Sequence, residues 1–381
     1  MTFHRQQIYQ GEPAERMSAF VGDLDGNGVP EFVITTRHPD MPDQLHWFGR
    51  DAADEAGDGG EWRRHLIDDT LPSTTVGGAL VDLTGNGRLD LIVGSDDRSD
   101  EVFWWECPED PRQPWQRRVA FRMPGTRTHD MILADLAGDG RAELFLWNQG
   151  AHRLLSIPLP SDPFQSPWPA LADVASDVNE QALAAADLDG DGRLELIAGC
   201  SWYRRTSAGD WERHLFAEDY DGVRVVAADF DGDGRPEIAV AEVSLDIGQT
   251  YGRLAVFRPG SDVEMPWQPQ VLETKLLGAH SLQVADFDGD GRPDLYVGEM
   301  GLGDWTQPHP PRQLAYLSRG DRGDFRMEEV VIDSGIGTHE AQAIELDGRV
   351  AILSKPYRAL ADTAPRPPEV DALYLYLPDS G

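Results

Sequence analysis

The sequence predicts an all-β fold, a seven-bladed β-propeller of four-stranded blades, and three observations carry that expectation. An acidic, glycine-rich phrase returns seven times along the chain. Each interval between copies holds short apolar runs separated by turn residues, with no helical periodicity. The last interval is one strand short, and the first ten residues read as that strand.

The phrase sets the frame. DLDGNGVPE begins at Asp23, DLTGNGRLD at Asp82, DLAGDGRAE at Asp135, DLDGDGRLE at Asp187, DFDGDGRPE at Asp229 and DFDGDGRPD at Asp286. A worn copy, ELDGRVAIL, begins at Glu345. The starts lie 59, 53, 52, 42, 57 and 59 residues apart. A unit of that length repeated along a chain is the signature of a solenoid or propeller. Blades are expected to start near residues 16, 75, 128, 180, 222, 279 and 338 of one domain spanning 1–381.

Within a unit, one apolar run precedes the phrase (HSLQVADF, 280–287) and one follows it (DLYVGEM, 294–300). A third alternates and ends in a turn (RQLAYLSRG, 312–320), and a fourth closes the unit (FRMEEVVID, 325–333). In the last unit the third strand, DALYLYLP (371–378), is the final one. FHRQQIYQ (3–10) resembles the fourth strands EWRRHLID and DWERHLFA, so the N-terminal strand is expected to complete blade 7 and close the ring. Closure removes the open sheet edges that invite aggregation.

Composition bounds the partners. The 381 residues carry 67 acidic against 33 basic side chains, a formal charge of −34, so the chain repels nucleic acid and anionic membrane and attracts cations. Only Lys275 and Lys355 are lysines; the other cations are arginines. Cys107 and Cys200 are far apart and in no metal spacing. MTFHRQQIYQ has no apolar leader core, and no run of 18 apolar residues occurs. The expectation is a soluble protein, cytoplasmic as it stands or a mature secreted chain, with a small-molecule or carbohydrate partner; a protein partner is left open.

The phrase itself reads as a calcium loop. Side chains at positions 1, 3, 5 and 9, with a carbonyl near position 7, surround one point with hard oxygens, and carboxylates at that density call for a cation. Ca²⁺, with six to eight oxygen ligands at about 2.4 Å, suits them better than Mg²⁺. Full sets are expected at Asp187, Asp189, Asp191 and Glu195, at Asp229, Asp231, Asp233 and Glu237, and at Asp286, Asp288, Asp290 and Asp294. Next come Asp23, Asp25, Asn27 and Glu31, then Asp82, Asn86 and Asp90, where Thr84 replaces an aspartate. The set of Asp135, Asp139 and Glu143 loses a ligand to Ala137, and the seventh loop lacks the pattern. Such ions would pin hairpins and serve folding.

The phrase and its spacing resemble the FG-GAP and VCBS repeats of integrin α-subunits and many bacterial proteins. The resemblance covers essentially the whole chain and implies a calcium-stabilised propeller; that family includes adhesins, lectin-like modules, lyases and dehydratases. The outer strand with Trp62, Arg64, His65 and Ile67, beside the third-strand WWECP, is similar to the propeller part of aldos-2-ulose dehydratases. That likeness implies metal-assisted chemistry on keto-sugars, although the cupin portion of those enzymes has no counterpart here.

The acidic loops join first to second strands, so the starts of the first strands lie on the opposite face, around the mouth of the central channel. Six residues before each loop stand Met17, Val76, His129, Gln181, Val223, His280 and His339: three of the chain's 10 histidines, all expected to point to the axis. They are candidates for a transition-metal or zinc site, a second divalent metal beside the calcium ions, or for general bases. Glu242, Glu299, Lys355 and Tyr357 end second strands on the same rim, and Arg224 flanks a first strand. The expected function is an enzyme of lyase or dehydratase type on a carbohydrate-like substrate. Glu242, Glu299 or Tyr357 would be the base and Lys355 or Arg224 would hold the developing oxyanion. The alternative is a non-catalytic module that binds a glycan or a protein.

Overall fold

The structure, a computed structural model, describes residues 1–381 except 13, 39–40, 51–59, 75, 179, 245–250, 301–308, 321–322, 358–367 and 380–381. Among the described residues, 28 strands form seven four-stranded antiparallel sheets, and the one helical segment is a 3₁₀ turn at Pro368–Asp371. This is the seven-bladed propeller that the repeat predicts. No helix is long and apolar enough to cross a membrane.

The seven innermost strands are Glu15–Gly22, Gly78–Val81, Thr128–Ala134, Leu183–Ala186, Val223–Ala228, Ala279–Ala285 and Gln342–Leu346. Each passes through its acidic loop into the second strand of its blade. The loops turn sharply because glycine accepts a left-handed backbone: Gly291 has φ 86°. The first aspartate of each loop holds the turn by accepting amide protons; Asp286 takes those of Gly289, Asp290 and Gly291.

The chain ends close the ring as expected. Phe3–Gln10 pairs antiparallel with Ala372–Pro378, from Phe3 opposite Pro378 to Gln10 opposite Ala372. Thr2 and His4 both bond Asp379 just beyond that ladder. The first strand of the chain is therefore the outer strand of blade 7.

Among the described residues the apolar core is divided into seven clusters, each in a seam between neighbouring blades. The recurring W-x-R-H strand has a structural explanation: His65 stacks on Trp47 at 4.2 Å between centroids, and His214 on Trp202 at 4.1 Å. Both tryptophans are fully buried. These imidazoles lid the outer edge of a blade.

Deleting residues 1–10 leaves the Ala372–Pro378 strand as an open edge. The expected result is a fall in Tm on the order of 10 °C with concentration-dependent aggregation, read by calorimetry and light scattering.

Candidate functional site

The two faces of the disc carry different chemistry. On the acidic-loop face, four trios place carboxylate oxygens within 4.8 Å of one another: Asp23, Asp25 and Glu31; Asp187, Asp189 and Glu195; Asp229, Asp231 and Glu237; Asp286, Asp288 and Asp290. The donor chemistry fits a hard cation. Glu31 Oε2 accepts the Leu24 amide at 2.7 Å, while its buried Oε1 has no hydrogen-bond partner. Burial first, with backbone bonds opposing and nearby aspartates adding, pushes the Glu31 and Glu195 carboxyls up to about 7; burial and Asp231 do the same to Glu237. A divalent ion among them would relieve that pressure.

Three expected ligands are turned elsewhere. Asp294 gives its oxygens to the amides of Phe287 and Ser318, and Asp90 gives its to Leu83, Thr84 and Cys107. Both oxygens of each aspartate are thereby taken by amides of the loop and of the neighbouring strand, whereas Glu31, one methylene longer, keeps one oxygen free. Glu143 reaches out instead to Arg205 of the next blade, at 2.5 Å. The loops of Asp82 with Asn86 and of Asp135 with Asp139 accordingly form no such trio among the described residues. Asn27, Asp191 and Asp233 each cap the amide two residues on. Arg204, Arg258 and Arg319 reach Asp189, Asp231 and Asp288.

On the opposite face the three predicted histidines converge. The His129 and His280 rings are 6.4 Å apart, and His280 stacks on His339 at 4.5 Å. All three are at most 9% exposed. Two carboxylates that the sequence reading passed over join them. Asp130 has φ 44° and Glu340 φ 52°, and the strand register slips between His129 and Met131. A regular strand sends consecutive side chains to opposite faces, whereas a bulge lets neighbours share one. The only sequence signal is the acid directly after each histidine, THD and THE; Gly77, at the equivalent place in blade 2, also has positive φ.

Arg224 stands at the centre. Its Nη1 is 2.7 Å from Asp130 Oδ1 and its Nη2 is 2.5 Å from Glu340 Oε1. Each carboxylate also holds an imidazole: Asp130 Oδ2 lies 2.6 Å from His129 Nδ1, and Glu340 Oε1 lies 3.1 Å from His280 Nδ1. Burial opposes ionisation of both acids, but Arg224 together with the neighbouring imidazole, His129 or His280, outweighs it and holds both carboxyls below their ordinary values. Burial and then Arg224 push His280 down to about 4; burial and then Lys355 push His339 well below its usual value.

These contacts assign tautomers. His129 donates from Nδ1 to Asp130, leaving Nε2 as a bare acceptor. At His280 one guanidinium nitrogen of Arg224 lies 2.7 Å from Nδ1 and 2.9 Å from Nε2, with Glu340 3.1 Å from Nδ1. Lys355 Nζ lies 3.3 Å from His339 Nδ1, so His339 carries its proton on Nε2. Below the cluster a cavity of about 290 Å³ continues along the channel, with Asp130, Glu340, Ser18 and Gln342 in its wall.

The other expected catalytic residues have different work. Glu242 is bonded through both oxygens to Arg253 of its own blade, and Glu299 to Arg312 and the Leu277 amide. They are struts between second and third strands, not bases at the axis, because their strand ends turn outward to an arginine. Lys355 is fully buried and donates to the carbonyls of Arg16, Met17 and His339, so it ties blade 7 to blade 1 and is not available to an oxyanion. Burial lowers its ammonium to about 7, while the surrounding carbonyls suit the protonated form. Tyr357 donates to Glu15 at 2.7 Å and its ring lies 4.9 Å from His339.

The metal expectation changes in its donors. His280, His339 and Glu340 present atoms within 4.8 Å of one another, while His129 is turned to Asp130. Arg224 Nη2 lies 2.5 Å from Glu340 Oε1 and 2.7 Å from His280 Nδ1, so an ion shared by this trio needs the guanidinium displaced.

Comparison with known proteins bears on the fold. Residues 82–146 match the FG-GAP-like repeat family and residues 278–307 the FG-GAP repeat family. No curated protein matches the sequence significantly. Among solved structures, rhamnogalacturonan lyase YesW matches with TM-score 0.51 and 14% identity over 98% of this chain and 75% of its own. The exotype rhamnogalacturonan lyase YesX matches with TM-score 0.53 and 13% identity over the same shares. BBS1N, solved in complex with ARL6DN, matches with TM-score 0.55 and 12% identity over 98% of this chain and 97% of its own.

Saturating Ca²⁺ is expected to raise Tm and chelation to lower it, each occupied loop adding about 2.7 kcal/mol at a hundredfold excess over Kd. Asp229→Asn should remove one equivalent of bound calcium by elemental analysis, and Asp135→Asn none.

Proposed function

We propose, for a chain that belongs to the FG-GAP repeat β-propellers, that the axial cluster is the active site of a lyase or dehydratase acting on an acidic or keto carbohydrate. The observation that supports this reading is the pair of tautomers. His129 offers a bare Nε2 oriented by an ionised Asp130, and His339 offers an Nε2–H fixed by Lys355. A base and a hydrogen-bond donor thus stand on either side of His280 in one buried cluster.

Elimination uses both. His129 Nε2 takes the proton α to a carbonyl or carboxylate. The electron pair left behind forms the double bond as the β carbon–oxygen bond breaks. The proton on His129 is then available to the departing oxygen, while the His339 N–H steadies the negative charge that builds on the substrate oxygen. Arg224 keeps Asp130 and Glu340 ionised, which is what holds the imidazoles in these tautomers. The substrate class follows the two rhamnogalacturonan lyases of like fold; the roles are argued from this chain's own residues.

A divalent cation at His280, His339 and Glu340 would polarise the same carbonyl as a Lewis acid. Calcium at the acidic loops would hold the hairpins and stay out of the reaction. A non-catalytic module is the second reading, and one observation favours it: Arg224, Asp130, Glu340 and Lys355 compensate one another's charge inside the disc. A channel plugged for stability alone has the same appearance.

Pectic and other uronate-containing oligosaccharides separate the two. Appearance of an unsaturated uronide by ultraviolet absorbance, lost by about 10²–10⁴-fold in kcat with His129→Gln and retained in Glu242→Gln, is the expected result. Turnover unchanged in His129→Gln contradicts the mechanism, and no turnover on any such polymer with binding intact supports the module.

A further inference from the structure

The seam between blades 7 and 1 differs from the others at its channel-mouth end. In blade 1, His46 stands opposite Ile34 in the ladder. The corresponding place, opposite the residue eleven after the start of the acidic phrase, is Phe103 in blade 2, Leu155 in blade 3, the small Ser201 in blade 4, Ala255 in blade 5 and Leu314 in blade 6. All are at most 3% exposed, and all but Ser201 belong to apolar clusters between blades. Here an imidazole replaces the core side chain, and a cleft of about 500 Å³ opens beside it.

The cleft is built for a polar ligand. His46 is 8% exposed, lines the space, and has no hydrogen bond to its ring nitrogens among the described residues. His38 Nε2, also in the wall, is buried without a partner. A buried polar atom left unpaired is costly, so His38 Nε2, with the imidazole of His46 lining the same space, favours an occupant that pairs it. Thr36 and Gln44 add further donors and acceptors. Arg64 stands at the outer end. Its Nη1 donates to the Tyr9 hydroxyl at 2.5 Å, its guanidinium lies 5.3 Å over the Tyr9 ring, and it has no carboxylate partner among the described residues. Tyr9 packs edge-on against Phe48 at 5.2 Å, which gives the cleft an aromatic wall. Glu12, also in the wall, is the one carboxylate among its lining residues.

We propose that this cleft is a second small-molecule site, separate from the axis, that takes a hydroxylated carboxylate of the uronic-acid type. Arg64 pairs with the ligand carboxylate, and His46, His38, Gln44 and Thr36 pair with its hydroxyls. Burial, with Arg64 and His38 nearby, holds His46 down at about 4, so its ring stays neutral and offers one donor and one acceptor to a sugar hydroxyl. The inference stands whether or not the axis is catalytic. Arg16 lines the cleft while its carbonyl accepts from Lys355, so the main chain of blade 1 separates the two sites.

Calorimetric titration with sodium galacturonate, galactose and acetate tests it. Galacturonate is expected to bind saturably, and the other two at least about tenfold more weakly. His46→Phe, which restores the side chain found at Phe103, should keep or raise Tm and abolish galacturonate binding. Arg64→Gln, on an exposed side chain, should weaken galacturonate about tenfold and leave galactose unchanged. His280→Gln should leave galacturonate binding as it was. The proposal is overturned if wild type shows no saturable binding or does not favour galacturonate over galactose. It is equally overturned if His46→Phe binds like wild type, or if His280→Gln rather than His46→Phe abolishes the binding, which would place the ligand at the axis.

Discussion

One guanidinium holds the centre of this molecule together. Arg224 bridges Asp130 from blade 3 and Glu340 from blade 7, and each carboxylate in turn fixes an imidazole. A buried arginine needs such partners, because an unpaired charge taken out of water is costly, and removing one member of a buried pair leaves the other uncompensated. The same carboxylate that neutralises the charge at Asp130 decides which nitrogen of His129 carries the proton. Packing and chemistry are therefore one arrangement at the axis.

The ring makes this arrangement possible. Residues 130, 224 and 340 are far apart in sequence, and no single blade presents a base, two acids and a cation together. Closure by Phe3–Gln10 brings blade 7 against blade 1, where Lys355 binds the carbonyls of Arg16 and Met17. The acidic loops on the other face carry most of the trouble that a charge of −34 creates. Arginines from third strands answer part of it, and a hard cation at four of the loops would answer more.

The fold was legible because a repeat states its own geometry. Seven copies of the phrase implied seven blades, and the likeness of residues 3–10 to later outer strands implied the closure. Histidines 129, 280 and 339 were legible because they share one register position. Asp130 and Glu340 were not, since strand alternation assigns them to the wrong side and only a bulge brings them in. Glu242 and Glu299 misled for the converse reason: a rim position says nothing about an arginine on the neighbouring strand. The ninth-position aspartates, Asp90 and Asp294, look like ligands in the phrase. One methylene less turns them to backbone amides. His46 gave no signal, because a histidine in an alternating strand reads as an ordinary surface residue until its neighbours show that the place belongs to the core.

The account rests on the imidazoles of His280 and His339, whose protonation burial and the charges of Arg224 and Lys355 oppose. Nuclear magnetic resonance of ring-labelled histidine, followed with pH, measures this directly. The account predicts that the His280 signal holds its neutral position down to about pH 4 and that the His339 signal likewise stays neutral well below the ordinary histidine range. Titration of both near the ordinary histidine value of about 6.5 would contradict it, for the axis would then be open to water.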